Sequence, residues 1–375
     1  MRIVLTGGGT AGHLFPLIAV ARQIKNLIAQ NIWQIPLGEG SGAEFAFIGP
    51  ATLGEETLAS EGIACKRILA GKWRRYGSLE NLLDVFKLPI GFCQALWHLF
   101  WLMPNVIFSK GGFGSVPVVM AAWIFRIPVL VHESDAIPGL ANRLTAKMAS
   151  RIAVSFSETA KFFPAAKTAL TGNPVREEIQ NGDPAQTRII FNLVGAKPLL
   201  LFLGGSQGAQ ALNEVIVNAL PRLLARCEII HQCGANNFEA IKQFFKKQWP
   251  AGYFLSPFLD ENQLRAAYAA ADLIISRAGA GSISEIALLG KPSIIIPLPN
   301  SAADHQTKNA RDFSQSGAAE ILEQINLTPN LLQNEIFSLL DKPDLLKQMG
   351  EKAKQFARPQ AAKEIAQEIL KIAKW

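Results

Sequence analysis

The feature that most constrains this chain is an alternation that runs twice. Short apolar runs alternate with helix-length segments, and glycine-rich turns sit where a run gives way to a helix. The runs at 3–5, 45–48, 106–108, 129–131 and 152–154 read as strands, and the segments 16–29, 79–102 and 139–149 read as helices. Apolar strands separated by segments long enough to cross a sheet argue for parallel strands with crossover helices. Gly172-Asn173-Pro174-Val175-Arg176 stops the pattern, because Pro and Gly break regular structure. It restarts with a helix at 184–193 and strands at 199–203, 228–232, 253–255, 273–276 and 293–296. The expected fold is α/β, two doubly wound Rossmann-like domains at 1–175 and 176–357. A last amphipathic helix in 358–375, with Ile365, Ile369 and Ile372 at helical spacing, is expected to pack back on the first domain.

Composition agrees. A chain of 375 residues accommodates two ordinary cores, and 49% hydrophobic against 18% charged residues excludes disorder. The excess of 37 Lys+Arg over 30 Asp+Glu gives +7. That suits phosphates, nucleic acid or an anionic membrane face without choosing among them. Cys65, Cys93, Cys227 and Cys233 form no CxxC pair and are expected to be buried free thiols in a reducing compartment. The N-terminus reads as a strand, with no signal peptide expected. The most apolar stretch, 116–131, is interrupted by Pro117, Arg126 and Pro128, so a buried helix and strand are expected there and no membrane span.

Three turns carry chemistry. Gly7-Gly8-Gly9-Thr10-Ala11-Gly12-His13 follows the first strand; its glycines let backbone N–H groups approach an anion at a helix start. The run satisfies GxGxxG, yet the second strand ends Phe47-Ile48-Gly49-Pro50 without the acid a dinucleotide ribose needs, and no P-loop lysine is present. Gly204-Gly205-Ser206-Gln207-Gly208-Ala209 opens the second half in the same way. Two phosphate-cradling loops imply two phosphorylated substrates. In the third turn, Ser276-Arg277-Ala278-Gly279 leads into Ala280, Gly281, Ser282, Ile283, Ser284 and Glu285. N–H groups at that helix start could hold a diphosphate. Ser284 and Glu285 are read in its first turn, and Glu285 is either a ribose ligand or a capping acid. Two polar stretches resist a purely structural reading: 132–139, from His132 and Glu133 through Ser134 and Asp135 to Gly139, and 304–309, around Gln306.

These segments, GGGTAGH, HESDAIPGLANR, GNPVR, GGSQGA, SRAGAGSISE and DHQTKNA, stand in the order and spacing of a known family. Over roughly residues 1–310 the chain resembles the MurG family, the peptidoglycan GlcNAc transferases of bacteria. The resemblance implies the GT-B glycosyltransferase fold, with the two domains facing a central cleft. It implies inverting transfer of GlcNAc from UDP-GlcNAc to undecaprenyl-diphospho-MurNAc-pentapeptide (lipid I), giving β-1,4-linked lipid II. It implies a peripheral enzyme on the cytoplasmic face of the cell membrane. The partners would be UDP-GlcNAc, lipid I, an anionic membrane surface and other cell-wall synthesis proteins, with no nucleic acid and no cofactor; because the chain has no DxD motif, no metal is expected to bridge the donor diphosphate.

Carried over by residue, Thr10, Ala11 and Gly12 match the family's TGG donor segment with Ala in place of Gly. Arg176 and Ser206 match donor contacts, and Leu259 an apolar residue whose backbone faces uracil. Ala280, Gly281, Ser282, Ile283, Ser284 and Glu285 match the diphosphate and ribose segment, and Gln306 a reader of sugar hydroxyls. The family's HEQN is His132-Glu133-Ser134-Asp135 here. Asp135 at a donor-contacting position accepts hydrogen bonds where Asn could also donate them. Residues 32–43 look like an insertion.

Such a transfer needs a base for the attacking hydroxyl. His13, beside the phosphate loop, is the first candidate and Glu133 its rival. The 280–282 helix start, aided by Arg277, would stabilise departing UDP. Lys72, Arg74 and Arg75 precede an apolar segment that includes Trp97, Phe100 and Trp101, a pattern suited to an anionic membrane surface. Another GT-B transferase, a UDP-GlcNAc 2-epimerase, or a non-catalytic sugar-nucleotide binder are the rival readings. The 132–143 segment argues against the first two, and the presence of both His13 and the Glu285 segment against the third.

Overall fold

The computed structural model describes all residues except 9–10, 31, 34–41, 52–53, 72–78, 196, 206–207 and 375, and leaves the side chains of 11 and 79–86 undescribed. The predicted insertion therefore lies largely outside the described residues. The chain divides into two compact units, Met1–Arg176 with Arg358–Trp375, and Glu177–Ala357.

The first unit runs β1 (Arg2–Thr6), α1 (Ala11–Ala29), β2 (Glu44–Gly49), α2 (Glu55–Ser60), β3 (Ile63–Arg67), α3 (Leu79–Leu102), β4 (Val106–Ser109), α4 (Val116–Ile124), β5 (Val129–Glu133), α5 (Leu140–Thr145), β6 (Arg151–Val154) and β7 (Thr168–Leu170). Its strands form one parallel sheet in the order β3-β2-β1-β4-β5-β6-β7. The order reverses direction at β1, so the crevice beyond the carboxyl ends of β1 and β4 is where an open α/β sheet takes a ligand. Strand interiors are buried on both faces, which explains their unbroken apolar runs.

The second unit continues with α6 (Pro184–Ile190), β8 (Leu199–Leu203), α7 (Gln210–Arg226), β9 (Glu228–Gln232), α8 (Ala235–Phe244), β10 (Tyr253–Ser256), α9 (Glu261–Ala270), β11 (Leu273–Ser276), α10 (Ala280–Leu289), β12 (Ser293–Ile295), α11 (His305–Gln315), β13 (Ala319–Ile321), α12 (Pro329–Leu340) and α13 (Pro343–Phe356). Its parallel sheet has the order β10-β9-β8-β11-β12-β13, reversing at β8. The last helix, α14 (Ala361–Ile372), belongs to the first unit. It buries Ile365, Ile369 and Leu370 in one core with Ile3, Leu5 and Leu17, each worth roughly 1.5–3 kcal/mol.

Several boundaries differ from those read in the sequence. Helix α1 begins at Ala11 and takes Pro16 inside it, whereas the sequence reading started the helix at that proline. Helix α5 ends at Thr145, short of residue 149. Strands β3, β7 and β13 were not read from the sequence. All three are sheet edges, half-exposed, and so carry no continuous apolar run. The four cysteines are free, but only Cys227 and Cys233 are buried; Cys93 is exposed because α3 turns it away from the core.

Helix α3 presents two faces. Ala95 and Leu99 are buried with Phe92, Leu96 and Leu102 packed alongside. The opposite face exposes Trp97, Phe100 and Trp101, whose rings meet edge to face at 5.7 and 5.6 Å. Helix α4, packed on α3, ends in exposed Trp123 and Ile124. Among the described residues no helix is long and apolar enough to cross a membrane.

Candidate active site

In the first unit the loop after β1 and the loop after β4 come together. Gly7 and Gly8 leave β1, and His13 lies in the first turns of α1. A Cβ added to Gly8 would stand 3.4 Å from His13 Nε2, and one on Gly112 would stand 3.2 Å from His13 Cε1. The imidazole thus fills space that only two glycines leave open. Its Nδ1 is buried and has no hydrogen-bond partner among the described residues. Burial, and then the nearby Lys110 ammonium, push the His13 pKa down to about 4, with Asp135 partly opposing them. The imidazole is therefore neutral at pH 7, with a ring nitrogen able to accept a proton. Thr10 lies outside the described residues. Ala11 and Gly12 form the first turn of α1, so their N–H groups have no intrahelical partner.

Lys110 directly follows β4 and is only 2% exposed. Burial pushes its pKa down to about 8, against the pull of Glu133 and Asp135. A lysine ending an apolar strand and followed by Gly111-Gly112 was the available signal, and the sequence reading passed over it. A Cβ on Gly111 would collide with the Asn142 carboxamide, so this glycine too is required for close approach.

Strand β5 delivers His132 and Glu133. The Gly172 carbonyl, 3.0 Å from His132 Nε2, can only accept, so Nε2 carries the proton. Its Nδ1 is then a bare acceptor, buried and without a partner among the described residues. Glu133 is buried. Its Oε1 accepts the Asp135 N–H at 3.0 Å, and its Oε2 accepts the Gly139 N–H at 3.0 Å and Asn142 Nδ2 at 2.9 Å. Both carboxylate oxygens thus serve to shape the 133–142 loop. Burial, with Asp135 adding like charge, pushes the Glu133 pKa upward. Arg176 closes the unit, its guanidinium carbon 4.1 Å from the Phe15 ring centroid on α1.

In the second unit the donor-type residues collect at the carboxyl ends of β8, β9, β10 and β11. Ser206 lies outside the described residues; Gly205 and Gly208 flank it with φ of 81° and 79°. Leu259 is buried, and its N–H donates to Gln232 Oε1 at 3.1 Å, which leaves its carbonyl as the backbone group for a ligand. Asp260 and Gln263 close a capping box on α9, which sets that helix in place. Tyr268, fully buried on α9, donates its hydroxyl to Glu285 Oε2 at 2.9 Å.

Helix α10 starts at Ala280 after an extended Gly279 that offers no side-chain cap. The N–H groups of Ala280, Gly281 and Ser282 therefore lack intrahelical partners and suit an anion. Three details of the sequence reading change. Ser284 and Glu285 lie in the second turn, because Ala280 is already helical, and Glu285 is too far along to cap the helix. Ile283 offers no contact group, since its side chain is buried and its N–H bonds the Gly279 carbonyl at 3.0 Å. The Ser284 hydroxyl is donated to the Ala280 carbonyl at 2.8 Å.

Gln306 sits near the start of α11. Its Oε1 accepts the Leu298 N–H at 3.0 Å, and its own N–H donates to Ser301 Oγ at 3.1 Å. The approach to it is strained: Asn300, Ala303 and Asp304 all have φ between 56° and 58°. Arg277 does not stand open to an anion. Its Nη1 donates to the Ile296 carbonyl at 3.2 Å and its Nη2 to Gln324 Oε1 at 2.6 Å. Asn309, the last residue of the polar 304–309 stretch, donates Nδ2 to the Ala278 carbonyl at 3.1 Å.

Known proteins resemble this chain in sequence and fold. The glycosyltransferase family 28 N-terminal domain matches residues 3–154, and the family's C-terminal domain matches residues 199–365. A UDP-N-acetylglucosamine--N-acetylmuramyl-(pentapeptide) pyrophosphoryl-undecaprenol N-acetylglucosamine transferase of Lachnospira eligens is 38% identical over 88% of each chain. Its counterpart in Treponema pallidum is 40% identical over 85% of this chain and 82% of its own. The crystal structure of Acinetobacter baumannii MurG superposes with a TM-score of 0.71 at 30% identity, covering 99% of both chains. A UDP-GlcNAc 2-epimerase from Neisseria meningitidis reaches 0.67 at 13% identity, which shows a shared fold alone. With relatives of this identity matched over 82–99% of their own length, and two Rossmann-like units of the GT-B type, the chain belongs to the MurG family of glycosyltransferases.

Proposed function

We propose that this enzyme transfers GlcNAc from UDP-GlcNAc to lipid I with inversion, forming the β-1,4 bond of lipid II at the cytoplasmic face of the membrane. The observation that supports the reading is that the glycine turn after β1, Lys110 after β4, the glycine turn after β8 and the α10 start after β11 all lie at the carboxyl ends of the strands flanking the two switch points, β1/β4 and β8/β11. Glu285, braced by Tyr268, would accept the ribose hydroxyls. The Leu259 carbonyl would accept uracil N3–H, and the N–H groups of Ala280 to Ser282 would hold the diphosphate.

In the reaction the acceptor's 4-hydroxyl oxygen attacks C1 of GlcNAc. The C1–O bond to the β-phosphate breaks, and UDP leaves with the bonding electrons. The hydroxyl proton passes to His13, whose neutral ring has a bare nitrogen in the buried cluster. Glu133 takes the positioning part, because its two oxygens already hold three donors. The α10 N-terminus offsets the charge that develops on UDP.

The aromatic face of α3 and the end of α4 supply an apolar surface suited to the interfacial region of a bilayer. The flanking Lys72, Arg74 and Arg75 lie outside the described residues. The test is incubation with labelled UDP-GlcNAc and a short-chain lipid I analogue, followed by anomeric analysis of the product. Release of UDP without a new disaccharide, or an α-linked product, would overturn the proposal.

A further inference from the structure

Gln306 presents an amide whose orientation is dictated by its partner. The Leu298 backbone N–H can only donate, so it must face Oε1, and the Nε2 donors face elsewhere. Nε2 makes no hydrogen bond to any described residue. What fixes Leu298 is the preceding pair of carbonyls. Arg277 Nη1 reaches the Ile296 carbonyl at 3.2 Å and the Pro297 carbonyl at 3.5 Å, while Nη2 is anchored on Gln324. Next in sequence, Ala278 receives Asn309 through its own carbonyl. Both ends of the strained segment between Ile296 and Asn309 are thus tied to the same two residues of the β11–α10 turn. Left-handed Ala303, Asn300 and Asp304 persist only where surrounding contacts over-determine them.

Arg277 is 8% exposed, and it makes no ion pair within 4.0 Å to a carboxylate of the described residues. Its acceptors are two backbone carbonyls and a neutral amide. A buried charge is costly unless its geometry is needed, and here the planar fork bridges two chain segments as a lysine could not.

We propose that Arg277 is a positioning residue for sugar recognition: by gripping the Ile296 and Pro297 carbonyls it holds the Leu298 N–H on Gln306 Oε1, so that Gln306 can offer a ligand only its Nε2 donors. This rests on the UDP-GlcNAc reading of the second unit. Gln306 then selects a sugar oxygen that accepts, and a carboxylate there would fail although Leu298 could still hold it.

The experiment is calorimetric titration of the full chain with UDP and, separately, with UDP-GlcNAc. The variants are Arg277→Lys, Gln324→Ala, Gln306→Glu, and Gln306→Ala alone and combined with Arg277→Lys. Arg277→Lys keeps the charge, and Gln324→Ala keeps the arginine and removes only its anchor, so one tests the strut if the other misfolds. UDP should bind every variant within about threefold of the parent, whereas UDP-GlcNAc should weaken about tenfold in each, the worth of one hydrogen bond. Arg277→Lys should add almost nothing to Gln306→Ala, because the two act through one contact. Equal weakening of both ligands by Arg277→Lys and Gln324→Ala, or additive losses in the double variant, would overturn the proposal. A parent protein that binds UDP and not UDP-GlcNAc would instead remove the donor reading beneath it.

Discussion

The two units build their sites on the same plan and fill them with opposite chemistry. In the first, His13, Lys110, His132 and Glu133 share one largely buried cluster beside Asp135, and burial together with neighbouring charges displaces the protonation of all four. In the second, Leu259, Gln306 and Asn309 are held by backbone, hydroxyl and amide groups, Arg277 has neutral acceptors, and the Glu285 carboxylate is braced by a neutral phenol hydroxyl. A Rossmann-like switch point therefore fixes where a ligand goes but not what is done to it. Coupled buried charges suit moving a proton, and a frame of neutral hydrogen bonds suits binding a sugar nucleotide with little dependence on pH.

The strongest way to break this contrast is His13→Ala. Loss of a general base should lower kcat by about 10²–10⁴ while the KM for UDP-GlcNAc stays close to the parent's, read by steady-state kinetics. Near-normal turnover would transfer the proton-handling role to another group. Next in size is the membrane face proposed for α3 and α4 of the first unit. Reversing the charges of Lys72, Arg74 and Arg75 should reduce binding to anionic vesicles by roughly two orders of magnitude at low salt, at about 1 kcal/mol per residue. The loss should shrink in high salt. Co-sedimentation that ignores the three changes would leave the exposed tryptophans as an oligomer contact.

Glu285→Ala probes the second unit. Removing a charge-assisted hydrogen bond of about 1.5–3 kcal/mol should raise the donor KM about 10- to 100-fold and leave kcat nearly unchanged. An unaltered KM would end the ribose assignment.

Acidity separates the two sites more finely. His13, lowered to about 4, is neutral and able to accept a proton at every pH above that, so the acid limb of kcat/KM should lie near 4 instead of near the ordinary imidazole value of about 6.5. Lys110, lowered to about 8, is charged below that pH and loses its charge above it, giving an alkaline limb. Lys110→Met should erase the alkaline limb and move the acid limb upward, since the ammonium is one of the forces holding His13 down. A profile unmoved by the substitution would uncouple the pair. The smallest effect is expected from Tyr268→Phe, which removes one brace of Glu285: a rise in donor KM of about fivefold, matching a hydrogen bond of about 1 kcal/mol.

The sequence made the central strands legible because they are buried on both faces and apolar without interruption, as in Leu199–Leu203. Three of the four edge strands, β3, β7 and β13, were lost for the opposite reason: in Ile63–Arg67 only Ile63 is buried. The glycine turns announced both switch points, since few other residues let a backbone approach so closely. What stayed hidden was set by tertiary contact. Nothing near Glu285 in sequence marks Tyr268 as its partner, and Arg277 reads as a phosphate ligand until its carbonyl partners are known. Glu133 is the intermediate case, because its three donors all lie within the next nine residues.

Helix α14 has a consequence for biosynthesis. It completes the core around β1, and the ribosome delivers it only after the whole second unit has emerged. The second unit is contiguous and can close on itself during translation, whereas the unit begun first must wait with the seat of Ile365, Ile369 and Leu370 unfilled. The cluster around His13 is therefore assembled last, on a sheet whose final stabilising helix arrives after the second unit is built.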